Sequence, residues 1–283
     1  MSLILLLVAL IITYTFIKAY TNTKQVVFNK LDIEHTNKDG NKTGQPLQIL
    51  HLSDLHLENI SITPATLYEK LKDEPIDLIA LTGDFLDRKR TIPKLLPYLQ
   101  VLNKLNSSYG MYAVLGNHDY VLRKEHLAEL KRVLEAYNCV VLHNENRLVN
   151  MGGYPVNIIG IDDYSTNRSD IAEAYKGIEA GYRLVLTHDP NVVLEMKDYD
   201  FDYLLSGHFH GGQILYPKAY HLVKMGKLVR MNMIKGLQKY HGKNFYISEG
   251  LGQTGLNVRL GSRPEMTLHR IPASEEFINE QVV

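Results

Sequence analysis

The sequence lacks the features that mark several large functional classes. Cys139 is its only cysteine among 283 residues, so no internal disulfide can form and nothing points to an oxidising compartment. In "NCVVLHN" that cysteine reads as a small buried strand residue. Neither charge is in excess, because 31 Lys and Arg stand against 31 Asp and Glu. That balance argues against a general nucleic-acid binder, although it leaves room for a local patch. No internal repeat and no low-complexity tract occurs, so the chain does not read as a repeat array. Apolar residues make up 45% and charged residues 22%, a globular composition with length for one large domain or two small ones.

Charge is also missing from "LILLLVALIITYTFI", Leu3 to Ile17. With Met1, Ser2, Ala19 and Tyr20 added and Lys18 reaching outward, the stretch attains the roughly 20 residues that span a bilayer. A signal peptide would carry a basic leader and a small-residue cleavage site, and neither is present. Residues 1–20 therefore read as an uncleaved single-pass anchor in the cell membrane. Lys18, Lys24 and Lys30 follow the apolar run and no basic residue precedes it. The positive-inside rule then places the rest of the chain in the cytoplasm.

Residues 21–46 are polar, and "TNKDGNKTGQP" reads as turn or loop, either a linker or an edge segment. From Leu47 onward apolar strand-like runs alternate with helical patterns, as in an α/β fold. "TPATLYEKLKDE" predicts a helix capped by Thr63 with Pro64 in its first turn. "RKEHLAELKRVLEAYN" is amphipathic, with Leu127, Leu130, Val133, Leu134 and Tyr137 at helical spacing. The domain is expected over 47–273, with 274–283 as a tail.

Chemistry-bearing residues gather where apolar runs stop. "PLQILHLSDLH" delivers Asp54 and His56. "IDLIALTGD" delivers Asp84, and "GMYAVLGNHD" delivers Asn117, His118 and Asp119. "YRLVLTHDP" delivers His188, and "YLLSGHFHGG" delivers His208 and His210. In open α/β sheets, sites form outside the carboxyl ends of strands, so segments more than 150 residues apart can converge. Each cluster alone has an ordinary explanation: a helix cap at Asp54, a plain turn at Gly83-Asp84, an Asx-turn at Asn117, a satisfied strand-end histidine at His188. Five such clusters at five strand ends are better explained together. Imidazole nitrogens with carboxylate and carboxamide oxygens suit divalent first-row metals such as Mn, Fe or Zn. The donors outnumber the needs of one ion, and two ions sharing a carboxylate would use them all.

The set "DLH", "GD", "GNHD", "TH" and "GHFH" resembles, in order and spacing, the motifs of the calcineurin-like metallophosphoesterases. The resemblance covers about residues 47–271. The tail "YISEGLGQTGLNVRLGSRPEMTLHRI" is similar to that of the family's membrane-associated bacterial branch. The resemblance implies a sandwich of two mixed β-sheets flanked by helices, here preceded by one transmembrane helix. It implies two divalent cations, with Mn the first choice and Fe or Zn the others. Asp54, His56 and His210 resemble ligands of the first ion, Asp84 the bridging carboxylate, and Asn117, His188 and His208 ligands of the second. His118 is similar to the histidine that faces substrate phosphate, with Asp119 expected to fix its tautomer.

The implied reaction is hydrolysis of a phosphodiester, phosphomonoester or pyrophosphate bond by a hydroxide that two metals activate. "GDFLDRKR" approaches the Gly-Asp-x-x-Asp-Arg-Gly run of protein phosphatases but has Lys89 in place of the final glycine, which disfavours that sub-class. From Tyr216 to Lys243 there are seven Lys or Arg and no acid, read either as a solvated loop or as an amphipathic flap on anionic headgroups. With the anchor, that flap makes a lipid or lipid-linked substrate attractive, such as the UDP-diacylglucosamine cleaved by some enzymes of the branch. A nuclease and a catalytically inactive membrane-tethered scaffold are the alternatives. Nucleic acid is not the expected partner, and no protein partner is indicated.

Overall fold

Alternation along the strands decides the architecture. In the computed structural model, which describes residues 2–33, 46–215 and 219–272, β2 (Leu47–Leu52), β3 (Leu78–Thr82) and β4 (Met111–Val114) are parallel neighbours. Successive side chains of a strand point to opposite faces. Ile49, Leu78, Ala80, Tyr112 and Val114 face inward, and Leu50, Leu52, Ile79, Leu81 and Ala113 face the other way. Both faces are apolar, so both must be covered.

The outward face is covered by α2 (Pro64–Leu71), α3 (Ile92–Lys104) and α4 (Lys124–Ala136). Thr63 caps α2 by accepting from the Thr66 N–H, with Pro64 at the first helical position, as the sequence predicts. On α4, Leu130 and Leu134 are buried, with Leu127, Val133 and Tyr137 packed beside them. The inward face meets a second sheet built from β6 (Glu145–Met151), β7 (Tyr154–Gly160), β8 (Tyr182–Leu186), β9 (Tyr203–Ser206), β10 (Gly236–Tyr240) and β11 (Lys243–Ile247). Leu184, Leu186, Tyr203 and Leu205 close the core between the sheets.

The first sheet runs β1-β12-β2-β3-β4-β5 and the second β10-β11-β9-β8-β7-β6, six strands each, where β1 is Val27–Asp32, β5 Cys139–Val141 and β12 Glu265–Ile271. Both sheets are mixed: β12 is antiparallel to β2, and β6 and β10 are antiparallel to their neighbours. Cys139 is buried on β5, as expected. Within residues 21–46, Val27–Asp32 forms an edge strand parallel to β12; 34–45 and the tail 274–283 lie outside the described residues.

The basic stretch 216–243 is not a single flap. Lys218 lies outside the described residues. Leu222 and Leu228 are buried in the core of the second sheet, because the segment folds back as two short helical turns, Tyr220–Lys224 and Lys227–Arg230. Its end, β10, is an edge strand antiparallel to β11.

A helix α1, Ser2–Asn22, precedes the domain. It is long and apolar enough to cross a bilayer, with mean hydropathy 2.2 over Leu3–Asn22. Its side chains from Leu3 to Phe16 are mostly exposed, and burial begins at Ala19.

Candidate metal centre and active site

The parallel strands β2, β3 and β4 end beside β8 and β9, and their carboxyl-terminal loops interlock. Asp54 N–H donates to Gly83 O and His56 N–H to Asp84 O, each at 3.0 Å. A side chain at Gly116 would collide with the Asp84 carboxylate, so the "GNHD" loop passes directly over it. The backbone here is unusual. Asp54, His56, Asp84, His208 and His210 all have positive φ, between 39° and 77°. This left-handed region is uncommon for residues with a Cβ and costs roughly 1–2 kcal/mol each. Such strain persists where the surroundings over-determine it.

Two groups of donor atoms result. In the first, His56 Nε2 and His210 Nε2 are 3.2 Å apart, and Asp54 Oδ1 is 3.3 Å from His210 Nε2. In the second, His188 Nε2 lies 3.2 Å from His208 Nδ1 and 3.1 Å from Asp84 Oδ2. The same Asp84 oxygen is 3.4 Å from His56 Nε2, so it belongs to both. Each group could hold a cation. All of these side chains are buried.

The donor chemistry fits divalent ions. The facing imidazole nitrogens are 3.2 Å apart, so in each pair a cation could take the place of the proton between them. Asn117 Oδ1 is buried without a hydrogen-bond partner, a costly state for a carboxamide oxygen unless something else binds it. His188 Nδ1 donates to Thr82 O at 2.7 Å, which leaves Nε2 free to ligate.

Charge coupling sets the competition between protons and metal. Burial lowers His188 and His56, but the surrounding carboxylates together outweigh it: Asp84, Asp54 and Asp163 at His188, and Asp84, Asp87 and Asp54 at His56. His188 is raised well above the ordinary histidine value and His56 to about 10. Burial instead takes His210 down to about 3 and also lowers His208. Without metal, His56 and His188 therefore hold protons at pH 7 and must give them up to ligate. Metal uptake at pH 7 is expected to release about two protons, and apparent affinity to rise as pH increases toward the raised values. Calorimetric titration in two buffers of different ionisation enthalpy reads the proton count; release of none would contradict this coupling.

Beside His56 of the first group, with ring centroids 4.8 Å apart, His118 is partly exposed and its Nδ1 lies 3.0 Å from Asp87 Oδ1. The ordering of His118 expected from Asp119 is corrected here. Asp119 is fully buried, and its two oxygens accept from the N–H groups of Phe85, Leu86, Asp84 and Gly116 at 2.9–3.2 Å. No oxygen is left for the ring. Asp87, also 3.4 Å from His56 Nδ1, holds it instead. Partial burial pushes the Asp87 carboxyl up, but hydrogen bonds from His118 and His56 hold it well below the usual range. Asp87 raises His118 against the opposing effect of burial. The signal was present in the spacing of "GDFLD".

A cavity of about 330 Å³ opens over Asp84, Asn117, His118, His208 and His210. The rest of its wall is mainly apolar, with Phe209, Ile214, Leu222, Met225 and Leu256 joined by Gln213 and Thr254.

The model of the calcineurin-like phosphoesterase domain matches residues 47–212, the span that supplies every donor above. The chain belongs to the calcineurin-like phosphoesterase family. Among relatives of this phosphoesterase, "Uncharacterized metallophosphoesterase YkoQ" of Bacillus subtilis (strain 168) is 63% identical over 269 residues, covering 95% of this chain and 99% of that protein. "Uncharacterized metallophosphoesterase YkuE" of the same organism is 27% identical over 233 residues, covering 80% and 79%. "Phosphodiesterase YaeI" of Escherichia coli (strain K12) is 27% identical over 227 residues, covering 79% and 81%. This metallophosphoesterase is thus a hydrolase, and its buried His and Asp clusters form a candidate binuclear divalent metal site.

Proposed function

We propose that the chain is a membrane-anchored phosphoesterase whose first cation is held by Asp54, His56 and His210, and its second by Asn117, His188 and His208, with Asp84 shared. The observation that carries the assignment is the single Asp84 oxygen within 3.1–3.4 Å of an imidazole nitrogen from each group. Mn is the first choice for such a mixed nitrogen and oxygen set, with Fe or Zn next. Two divalent cations held there would polarise phosphoryl oxygens and acidify water, which is the chemistry phosphoester hydrolysis needs.

The remaining work falls to the chain. His118 lines the cavity with Nδ1 tied to Asp87, so its Nε2–H is available to protonate the departing oxygen. Asp87 holds the ring in place and favours its charged form. The apolar wall beside the donors favours an apolar ester group. Together with α1 as a single-pass anchor, this supports a phosphodiester or pyrophosphate carried by a lipid or lipid-linked molecule. The lysines that follow the apolar part of α1 favour a cytoplasmic domain. Exposed Val223, Met231 and Leu237, set among Lys224, Lys227 and Lys239, support contact with headgroups.

The test uses the full chain in detergent, stripped of metal and reloaded with Mn. Metal-dependent turnover of bis(p-nitrophenyl) phosphate in preference to p-nitrophenyl phosphate is expected. Failure to bind metal would end the reading. Monoester preference would remove its diester part.

A further inference from the structure

One residue joins α1 to the first donor group, through its backbone on one side and its side chain on the other. Arg259 is fully buried. Its N–H donates to Ala19 O at 2.8 Å, and its carbonyl accepts from Asn22 Nδ2 at 2.9 Å, so residue 259 clasps the last turn of α1. The guanidinium reaches other segments. Nη1 donates to the carbonyls of His210, Glu249 and Arg263 at 2.6–3.3 Å. Nη2 donates to those of Gly250 and Gly252 at 3.1 and 2.6 Å.

The loop 249–252 lies directly behind the other two donors. Leu251 N–H donates to Ser53 O at 2.9 Å and Gly252 N–H to Asp54 O at 2.6 Å. A Cβ at Gly250 would stand 2.6 Å from the Asp54 Cβ, so no side chain fits between loop and ligand. Arg259 thus bonds the backbone of His210 on one side and the support of Asp54 and His56 on the other. Its hydrogen bonds, among the described residues, include none to the loops carrying Asp84, Asn117 or His188. The two terminal nitrogens of a planar fork meet five carbonyls on three segments here, whereas a lysine ammonium offers three donors from a single point and leaves some of those carbonyls unmet. The Arg259 Nε is buried without a hydrogen-bond partner, so a cation held through Nη1 and Nη2 by carbonyls alone has no bond to spare.

We propose that Arg259 is a positioning residue for Asp54, His56 and His210, and that it couples their geometry to the seating of α1. The inference rests on the reading of those three residues as ligands of one cation. It adds that the anchor helix and the first metal subsite form one hydrogen-bonded unit.

The test is Mn²⁺ titration of the full chain in detergent, followed by calorimetry and electron paramagnetic resonance. The wild type is expected to bind two ions that give an exchange-coupled spectrum. Arg259→Lys should weaken one of the two sites by on the order of tenfold or more and leave the other near its wild-type affinity. The spectrum at one equivalent should become that of an isolated ion. Asn22→Ala leaves the guanidinium in place and should weaken the same site by a few-fold. Unchanged binding in Arg259→Lys would overturn the proposal. Equal weakening of both sites with a lower melting temperature of the metal-free protein would also overturn it, since that is the mark of a purely structural arginine. Unchanged binding in Asn22→Ala would remove the coupling to α1. A wild type that binds no ion pair would instead sink the metal reading beneath it.

Discussion

Asp84→Asn is expected to leave a folded protein that has lost the metal pair and hydrolyses bis(p-nitrophenyl) phosphate on the order of 10³-fold more slowly or worse. The argument is geometric. Asp84 Oδ1 accepts from the His118 N–H at 2.8 Å, while Oδ2 faces His188 Nε2 and His56 Nε2 at 3.1 and 3.4 Å. An asparagine must keep its oxygen toward the His118 N–H. Its NH₂ then points at the shared position and repels a cation from both groups at once. The backbone bonds of residue 84, from its N–H to Asp119 Oδ2 and to its carbonyl from the His56 N–H, do not involve the carboxylate, so the loops should hold. Metal content and turnover, measured beside a melting curve, check this. A variant that retained two ions and full turnover would remove Asp84 from the centre of the site.

The two aspartates near His118 should fail in opposite ways. Asp119→Asn is expected to cost about 3 kcal/mol of stability or more, because its NH₂ must face one pair of the four N–H groups that the carboxylate now accepts, leaving buried donors unpaired. Burial and the neighbouring Asp84 push the Asp119 carboxyl up to about 7, with the backbone N–H groups opposing them. Asp87→Asn, at a half-exposed position, should melt close to the wild type. Its turnover of a diester with a poor leaving group should fall roughly 10- to 100-fold, and turnover of a nitrophenyl ester by less, since nitrophenolate needs little help from an acid. Equal loss on both esters would point away from proton donation by His118. A stable Asp119→Asn protein would show that the "GNHD" loop is held by something else.

Much of this was legible in the sequence because strand ends are local features. The apolar runs before Asp54, Asp84, Asn117, His188 and His208 each stop where the chemistry starts, and the cap at Thr63 needs only the residues beside it. What resisted reading was nonlocal. Asp119 follows His118 in sequence, yet its side chain turns into the loop interior while Asp87, 31 positions earlier, reaches the ring. β1 pairs in parallel with β12, a contact that no local pattern encodes. Leu222 and Leu228 looked like the apolar side of a flap because only the fold reveals the second sheet beneath them. The left-handed backbone of the five donors could not be inferred from residue type, because Asp and His, though enriched there among residues with a Cβ, adopt it in only a small fraction of cases. The two-sheet architecture followed from the family resemblance, since the alternation of strands and helices alone suits several α/β folds.

α1 ends at Asn22 and β1 begins at Val27. Of the residues between, Thr23, Lys24 and Gln25 turn their N–H groups back onto the carbonyls of Tyr20, Thr21 and Asn22, and the Thr23 hydroxyl also reaches Ser61. A domain on a flexible tether sweeps a volume set by linker length, and this junction leaves no such radius. With α1 as the anchor proposed above, the mouth of the cavity stands at one height and one tilt over the bilayer. For the lipid-borne substrate proposed above, search would then be lateral diffusion in a plane, and the depth at which a headgroup carries its phosphoester would become a criterion of selection. A glycine-serine insert after Asn22 would turn this fixed gauge into a roving one, trading discrimination by depth for reach.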